Sequence, residues 1–172
     1  TFIKRSRVDS LATLVVEAGN FAAKKGDSEF SPRKKLVVDF FQEQAYDAVA
    51  LGQDELTSPL SEWISAADSG LPIVAANLYG SKKSNKPLFE PYRMVERNDL
   101  TMAVVGLVPE RAAVKSPDSA SVRIRSPYQM KKLFKKLEKK SDVISIIGDF
   151  TPQEAESLAK CYPNIDLILS PN

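Results

Sequence analysis

Short apolar runs rich in β-branched residues alternate along this chain with stretches of helical periodicity, and that alternation limits the fold more than any other feature. The runs "ATLVVEA" (12–18), "DAVAL" (47–51), "PIVAANL" (72–78), "DVISIIG" (142–148) and "IDLIL" (165–169) read as buried strands. "YRMVER" and "TMAVVGLV" flank Asn98-Asp99, a turn signal, and predict a hairpin. Between the runs, 31–45 predicts a helix. Ser31 caps it, Pro32 opens it, and Leu36, Val37, Phe40 and Phe41 form its apolar stripe. A second helix is predicted over 57–70, with Leu60, Trp63, Ile64 and Ala67 on one face and Gly70 at its end. A third spans 126–140, with Met130, Leu133, Phe134 and Leu137 inward. A fourth spans 151–161, where Thr151 and Glu154 have the spacing of a capping box. "YGSKKSNKP" (79–87) reads as a loop, and 109–121 as irregular.

Apolar strands alternating with helices predict an α/β fold, a mostly parallel β-sheet with helices on both faces. In such sheets ligands sit beyond the carboxyl ends of the strands. That rule singles out Gly19-Asn20, the "GQDE" loop at 52–55, Gly148-Asp149 and Ser170-Pro171-Asn172. These segments are expected to meet at the carboxyl edge of one sheet. With seven glycines and no Gly-rich loop, a nucleotide-cradling turn is not expected.

The chain has 172 residues, enough for one domain with a core of its own. Its net charge of +2 gives no argument for nucleic acid, and no apolar run approaches the ~18 residues of a membrane span. It contains no histidine, which excludes His-based zinc sites, Ser-His-Asp triads and Cys-His pairs within these residues. The single cysteine, Cys161, cannot form an internal disulfide, and its setting predicts a buried or half-buried, inert thiol. The first residue is Thr1 rather than Met, so the start is read as processed, engineered or out of view.

The segments "LVVEAGNF", "YDAVALGQDEL", "LPIVAANLYG", "PLFEPYRMVERNDLTMAVVGLVPE", "DVISIIGDF" and "NIDLILSPN" stand in the order seen in the calcineurin-like metallophosphoesterases. The likeness extends over roughly 12–172. It is to the 5′-nucleotidase and 2′,3′-cyclic-nucleotide phosphodiesterase branch, and within it to the amino-terminal part of an α/β/β/α sandwich. It implies a single metallophosphoesterase-like domain over 1–172, shorter than a complete family domain, with no carboxyl-terminal nucleotide-binding domain in view. It also implies a periplasmic or extracellular location.

The resemblance implies a two-metal site whose positions are altered here. The family's metal-bridging Asp aligns with Asn20, its ligand Asn with Gln53, its leaving-group His with Asp54, and a later ligand His with Asp149. Only the His-orienting Glu is kept, as Glu55. The family's opening Asp-x-His would lie before Thr1, and its closing Gly-His-x-His region reads Ser170-Pro171-Asn172. Two dications ~3.5 Å apart repel by roughly 19 kcal/mol at an effective dielectric of 20, and an amide at position 20 does not offset that as a carboxylate does.

Two readings of these residues stand side by side. Asp54, Glu55 and Asp149 are able to form an oxygen-only site for Mg, Mn or Ca, with amide oxygens from Asn20 and Gln53. The plainer reading makes them loop-end polar residues that cap helices or meet water, with no cofactor. Asn77 is a weak ligand candidate by resemblance and otherwise a residue that bonds loop backbone. Trp63 and Tyr79 could stack a base, but Trp63 lies on an apolar stripe. The lysines of "KKLFKKLEKK" read as the wet face of a helix, the alternative being a dock for an acidic partner.

The reading that follows is a degenerate, nucleotidase-like pseudoenzyme, acting in binding or assembly with a protein partner or a small phosphorylated ligand. It has no nucleic-acid role and no membrane span. A residual hydrolase with an oxygen-ligand metal, and a purely structural domain of a larger exported protein, are the alternatives.

Overall fold

The computed structural model describes residues 13–22, 30–80, 85–115 and 122–171, together with Ile3, Arg5 and Ser6. The side chains of Ser31 and Pro32, residues 81–84 and 116–121, and Asn172 lie outside this description, so the expectations that fall on them do too.

Three parallel strands, β1 (Val16–Glu17), β2 (Ala48–Ala50) and β3 (Ile73–Val74), form one sheet in that order. Two helices follow the first two strands: α1 (Phe30–Glu43) and α2 (Leu60–Asp68). The chain then makes β4 (Leu78–Tyr79), β5 (Tyr92–Arg97) and β6 (Leu100–Gly106). β5 and β6 pair Arg97 with Leu100 across a two-residue turn. Asn98 and Asp99 both have positive φ there, as such a turn requires. A 3-10 helix at Glu110–Lys115 and β7 (Arg123–Ile124) come next. Then α3 (Lys131–Leu137), β8 (Val143–Ile147), α4 (Pro152–Cys161) and β9 (Leu167–Leu169) complete the chain. The second sheet has the order β5-β6-β8-β9, with β6, β8 and β9 parallel. β4 and β7 form a small antiparallel pair.

Side-chain alternation sorts these elements into four layers. Val49 and Leu51 turn toward Phe41 of α1 and Trp63 of α2. Ala103, Val105, Ile144 and Ile146 turn toward Phe134 and Leu137 of α3 and Leu158 of α4. The opposite faces meet each other: Ala48, Ala50 and Val74 of the first sheet pack on Val95, Val104 and Ile147 of the second. The α/β class therefore holds and helices cover both outer faces, but the strands divide between two stacked sheets. The sheets also join at their margins. Ala76 N donates to Gly106 O at 2.8 Å, and a Cβ on Gly106 would lie 2.0 Å from Val74 O. Glycine is what permits that approach.

Local expectations fared unevenly. The capping box of α4 is formed in both directions, Glu154 N to Thr151 Oγ1 and Thr151 N to Glu154 Oε2. Met130, Phe134 and Leu137 are buried as read. The stripe assigned to α1 is corrected: Leu36 is 70% exposed and Phe40 42%, while Phe41 is buried and Val37 and Val38 are half-buried. Among the described residues the helix packs on one layer, so a narrower arc of its surface meets protein. Cys161 is exposed rather than buried. The inward face of α4 runs through Ala155 and Leu158 to Tyr162, and position 161 falls beside it. The stretch 109–121 is not wholly irregular, since 110–115 coil into the 3-10 helix.

Candidate functional site

The loops after β1 and β2 are joined by one carboxylate. Glu55 is fully buried, and its Oε2 accepts from Asn20 N at 2.8 Å and Gly52 N at 2.7 Å. Its Oε1 accepts from Ala22 N at 2.7 Å. Burial pushes the Glu55 carboxyl above its ordinary value, and these backbone donors pull it part of the way back. Glu17, at the end of β1, is likewise raised by burial and lowered by the Gly19 and Ala18 amides. The two loops touch backbone to backbone. A Cβ on Gly19 would stand 2.6 Å from Gly52 N, and one on Gly52 would stand 2.5 Å from Asn20 Oδ1. Asn20 has φ 62°, a left-handed conformation that Asn tolerates better than most residues. Its Oδ1 accepts from Asp54 N at 3.1 Å. Below this cluster, Trp63 Nε1 donates to Glu55 O at 2.8 Å, and the Phe21 ring stands edge-on to Trp63.

The second sheet supplies Asp149 from the loop after β8. Its carboxylate, 2% exposed, accepts from Gln53 N at 3.2 Å, which binds it to the β2 loop. Arg111 lies against it, with Nη2 3.2 Å from Oδ1, Nη1 3.4 Å from Oδ2, and Nη2 2.5 Å from the Asp149 carbonyl oxygen. Arg111 Nε also lies 3.4 Å from Glu154 Oε2, the oxygen that caps α4. Ser170 Oγ closes the group from β9, accepting from Phe150 N at 3.0 Å and donating to Phe150 O at 2.6 Å.

Asn20, Gln53, Asp54, Glu55 and Asp149 thus come together at the carboxyl ends of their strands. They do so across two sheets rather than along one edge, because β1 and β2 belong to the first sheet and β8 to the second. Asp54 is half-exposed and its side chain makes no capping bond, although the 3-10 helix Glu55–Thr57 begins beside it. Asn77 is fully buried. Its Nδ2 donates to Val108 O at 2.7 Å and Arg125 O at 2.8 Å, and its Oδ1 accepts from Val108 N at 2.8 Å. Backbone groups therefore engage both ends of its amide. Trp63 is core, and Tyr79 is 5% exposed with the Arg125 guanidinium 4.2 Å from its ring centre.

Among the described residues no three of His, Cys, Asp or Glu are grouped to hold an ion. Glu55 directs its oxygens at backbone amides, Asn20 directs its oxygen at Asp54 N, and Asp149 faces a guanidinium. Ser170 was singled out from sequence as part of a strand-end segment, whereas Arg111 was not. The signal for Arg111 was its place just past the carboxyl end of β6, another strand end on the same rim.

No family model matches the chain. A 5′-nucleotidase of Vibrio parahaemolyticus is 37% identical over 98 residues, covering 55% of this chain and 17% of that protein. Over little more than half of its length this chain is similar in sequence to 5′-nucleotidases. The crystal structure of a 5′-nucleotidase precursor from Thermus thermophilus matches with a TM-score of 0.73 at 24% identity, over 91% of this chain and 32% of that one. A sulfate thiohydrolase, SoxB, from the same organism matches with a TM-score of 0.82 at 20% identity, over 98% of this chain and 32% of that one. These structural likenesses are of fold. The matched segments amount to under a fifth of the length of the 5′-nucleotidase relatives.

Proposed function

We propose that this domain is a 5′-nucleotidase-like module that does not carry out two-metal phosphoester hydrolysis and acts instead in binding or assembly, in an exported setting. The observation that carries this reading is the ion pair of Arg111 with Asp149. At the position that the resemblance assigns to a metal ligand, a fixed monocation balances a buried carboxylate. A dication brought to Asp149 would meet the Arg111 charge within a few ångströms and would have to displace it. The amide at Asn20 adds to the mismatch, since its oxygen is already held by Asp54 N and brings no negative charge. Asp54 presents a carboxylate where the family presents a proton donor, so it would repel a phosphoryl group rather than protonate a leaving oxygen.

Thermal unfolding with and without divalent ions tests this reading. A ligand that binds only the folded state at about one hundred times its dissociation constant adds ~2.7 kcal/mol of stability. The expected result is an unchanged midpoint after extraction with EDTA and after addition of Mn²⁺, Mg²⁺ or Ca²⁺. A saturable rise that disappears in Asp149→Ala would count against the proposal.

A further inference from the structure

We infer that the solvent face of α3 is a docking surface for an extended acidic peptide segment of a protein partner. The segment 131–140 carries six lysines and one glutamate, a local charge of +5 in a chain whose net charge is +2, so the remainder of the chain carries −3. All six lysines are exposed, while the opposite face of the helix, Phe134 and Leu137 with Met130 before it, is buried in the second core. Among the described residues none of the six forms an ion pair. Lys136 reaches Tyr92, its Nζ 3.5 Å from the hydroxyl and 5.7 Å from the ring centre. The nearby carboxylates are turned elsewhere: Glu138 accepts from Asn164 Nδ2, and Asp142 Oδ2 accepts from Thr101 N.

This arrangement is not what solubility alone asks for, which is interspersed charges of both signs. Lys131 with Lys135, and Lys132 with Lys136, are like-charge pairs four residues apart within the helix, a spacing that destabilises it. An acidic partner would turn that repulsion into attraction.

The spacing favours an extended chain. Lysines four residues apart on a helix repeat every ~6 Å. In an extended peptide, alternate side chains repeat every ~6.6 Å on one side. Within α3 the pairs Lys131–Lys135 and Lys132–Lys136 have this spacing, and Lys139 and Lys140 continue the basic surface in the turn that follows, so acidic side chains along such a segment meet lysines at successive positions. A lipid surface fits less well because the apolar face of α3 is used in the core and cannot insert. Single-stranded nucleic acid fits less well because α3 itself contributes only lysines to this face, and the ring that Lys136 reaches, Tyr92, belongs to β5 and is half-buried. The inference stands whether or not the loop cluster around Asp149 retains chemistry.

Fluorescence anisotropy on the whole protein tests it, with a labelled peptide of alternating Glu and Ser as the probe. The comparison probes are a Gln-Ser peptide, a thymidine oligonucleotide of equal length and vesicles containing phosphatidylserine. Saturable binding of the acidic peptide is expected, weakening about tenfold or more between low and physiological salt as the charges are screened. The triple variant Lys131→Gln, Lys135→Gln, Lys139→Gln should weaken binding by about tenfold or more, and the matching triple Lys→Arg variant should keep it within about twofold. Thermal unfolding of each variant checks that the fold is intact. Absence of saturable peptide binding at low salt, a Lys→Gln triple that binds like the parent, or tighter binding of the oligonucleotide or the vesicles would overturn the inference.

Discussion

Glu55 organises the loop cluster through three backbone donors, so the cost of replacing it depends on how many donors are stranded. Glu55→Gln keeps one acceptor oxygen and turns an NH₂ group toward another donor. It should lower stability by about 1–3 kcal/mol, and Glu55→Ala, which strands three buried amides, by about 3 kcal/mol or more. Urea unfolding of the two variants gives both values. The Arg111–Asp149 pair gives a sharper result. Removing one partner of a buried ion pair costs about 3–5 kcal/mol because the other charge is left uncompensated. Arg111 is about one-third exposed and Asp149 keeps the Gln53 amide, so about 2–3 kcal/mol is expected for Arg111→Met. Arg111→Met combined with Asp149→Asn should recover most of that loss. A double-mutant cycle with no coupling energy would mean that the pair does not hold the site.

At the scale of elements, Tyr162 joins α4 to the turn before α3. Its hydroxyl accepts from Met130 N and donates to Pro127 O, both at 2.8 Å. Burial pushes the phenol up to about 12. The folded state therefore holds this proton more tightly than the unfolded chain does. The stability so gained is fully present below the ordinary tyrosine value near 10 and is lost as the pH rises toward about 12. Tyr162→Phe should remove this alkaline phase and cost about 1–3 kcal/mol at neutral pH, because Met130 N and Pro127 O lose their partner. Denaturant midpoints between pH 8 and 12 for both proteins check this. Elements with local signals were legible in the sequence, and α4 shows why. Thr151, Pro152 and Glu154 fix its start by contacts within one turn. The face of α1 was not legible, because Leu36 and Phe40 satisfy helical spacing yet stay exposed, Phe40 touching only the edge of the core through the Tyr46 and Phe41 rings among the described residues.

For the whole molecule, strand–helix alternation fixed the class but not the division into two sheets. Each residue of Ala48–Leu51 is buried, which is equally compatible with a helix or a second sheet above it. Side-chain size does not separate the faces either: Ala48 and Ala50 share the inter-sheet face with Val74, Val104 and Ile147, while Ala103 faces helices. The candidate residues were legible as strand ends, and they do meet. What joins Asp149 to its surroundings was not legible, since Arg111 lies 38 residues away in a polar stretch without periodicity.

The central claim is that this 5′-nucleotidase-like site does not hydrolyse phosphoesters. Phosphate release from a 5′-nucleoside monophosphate, measured with Mn²⁺, Mg²⁺ and Ca²⁺ in turn, tests it most directly. Groups that bridge metals, ligate them or protonate the leaving oxygen each typically account for about 10²-fold or more in rate. With Asn20, Gln53, Asp54 and Asp149 in their places, release at the buffer rate is predicted for the protein and equally for its Asp149→Ala variant. Metal-dependent release well above that rate, abolished by Asp54→Ala or Asp149→Ala, would contradict the account.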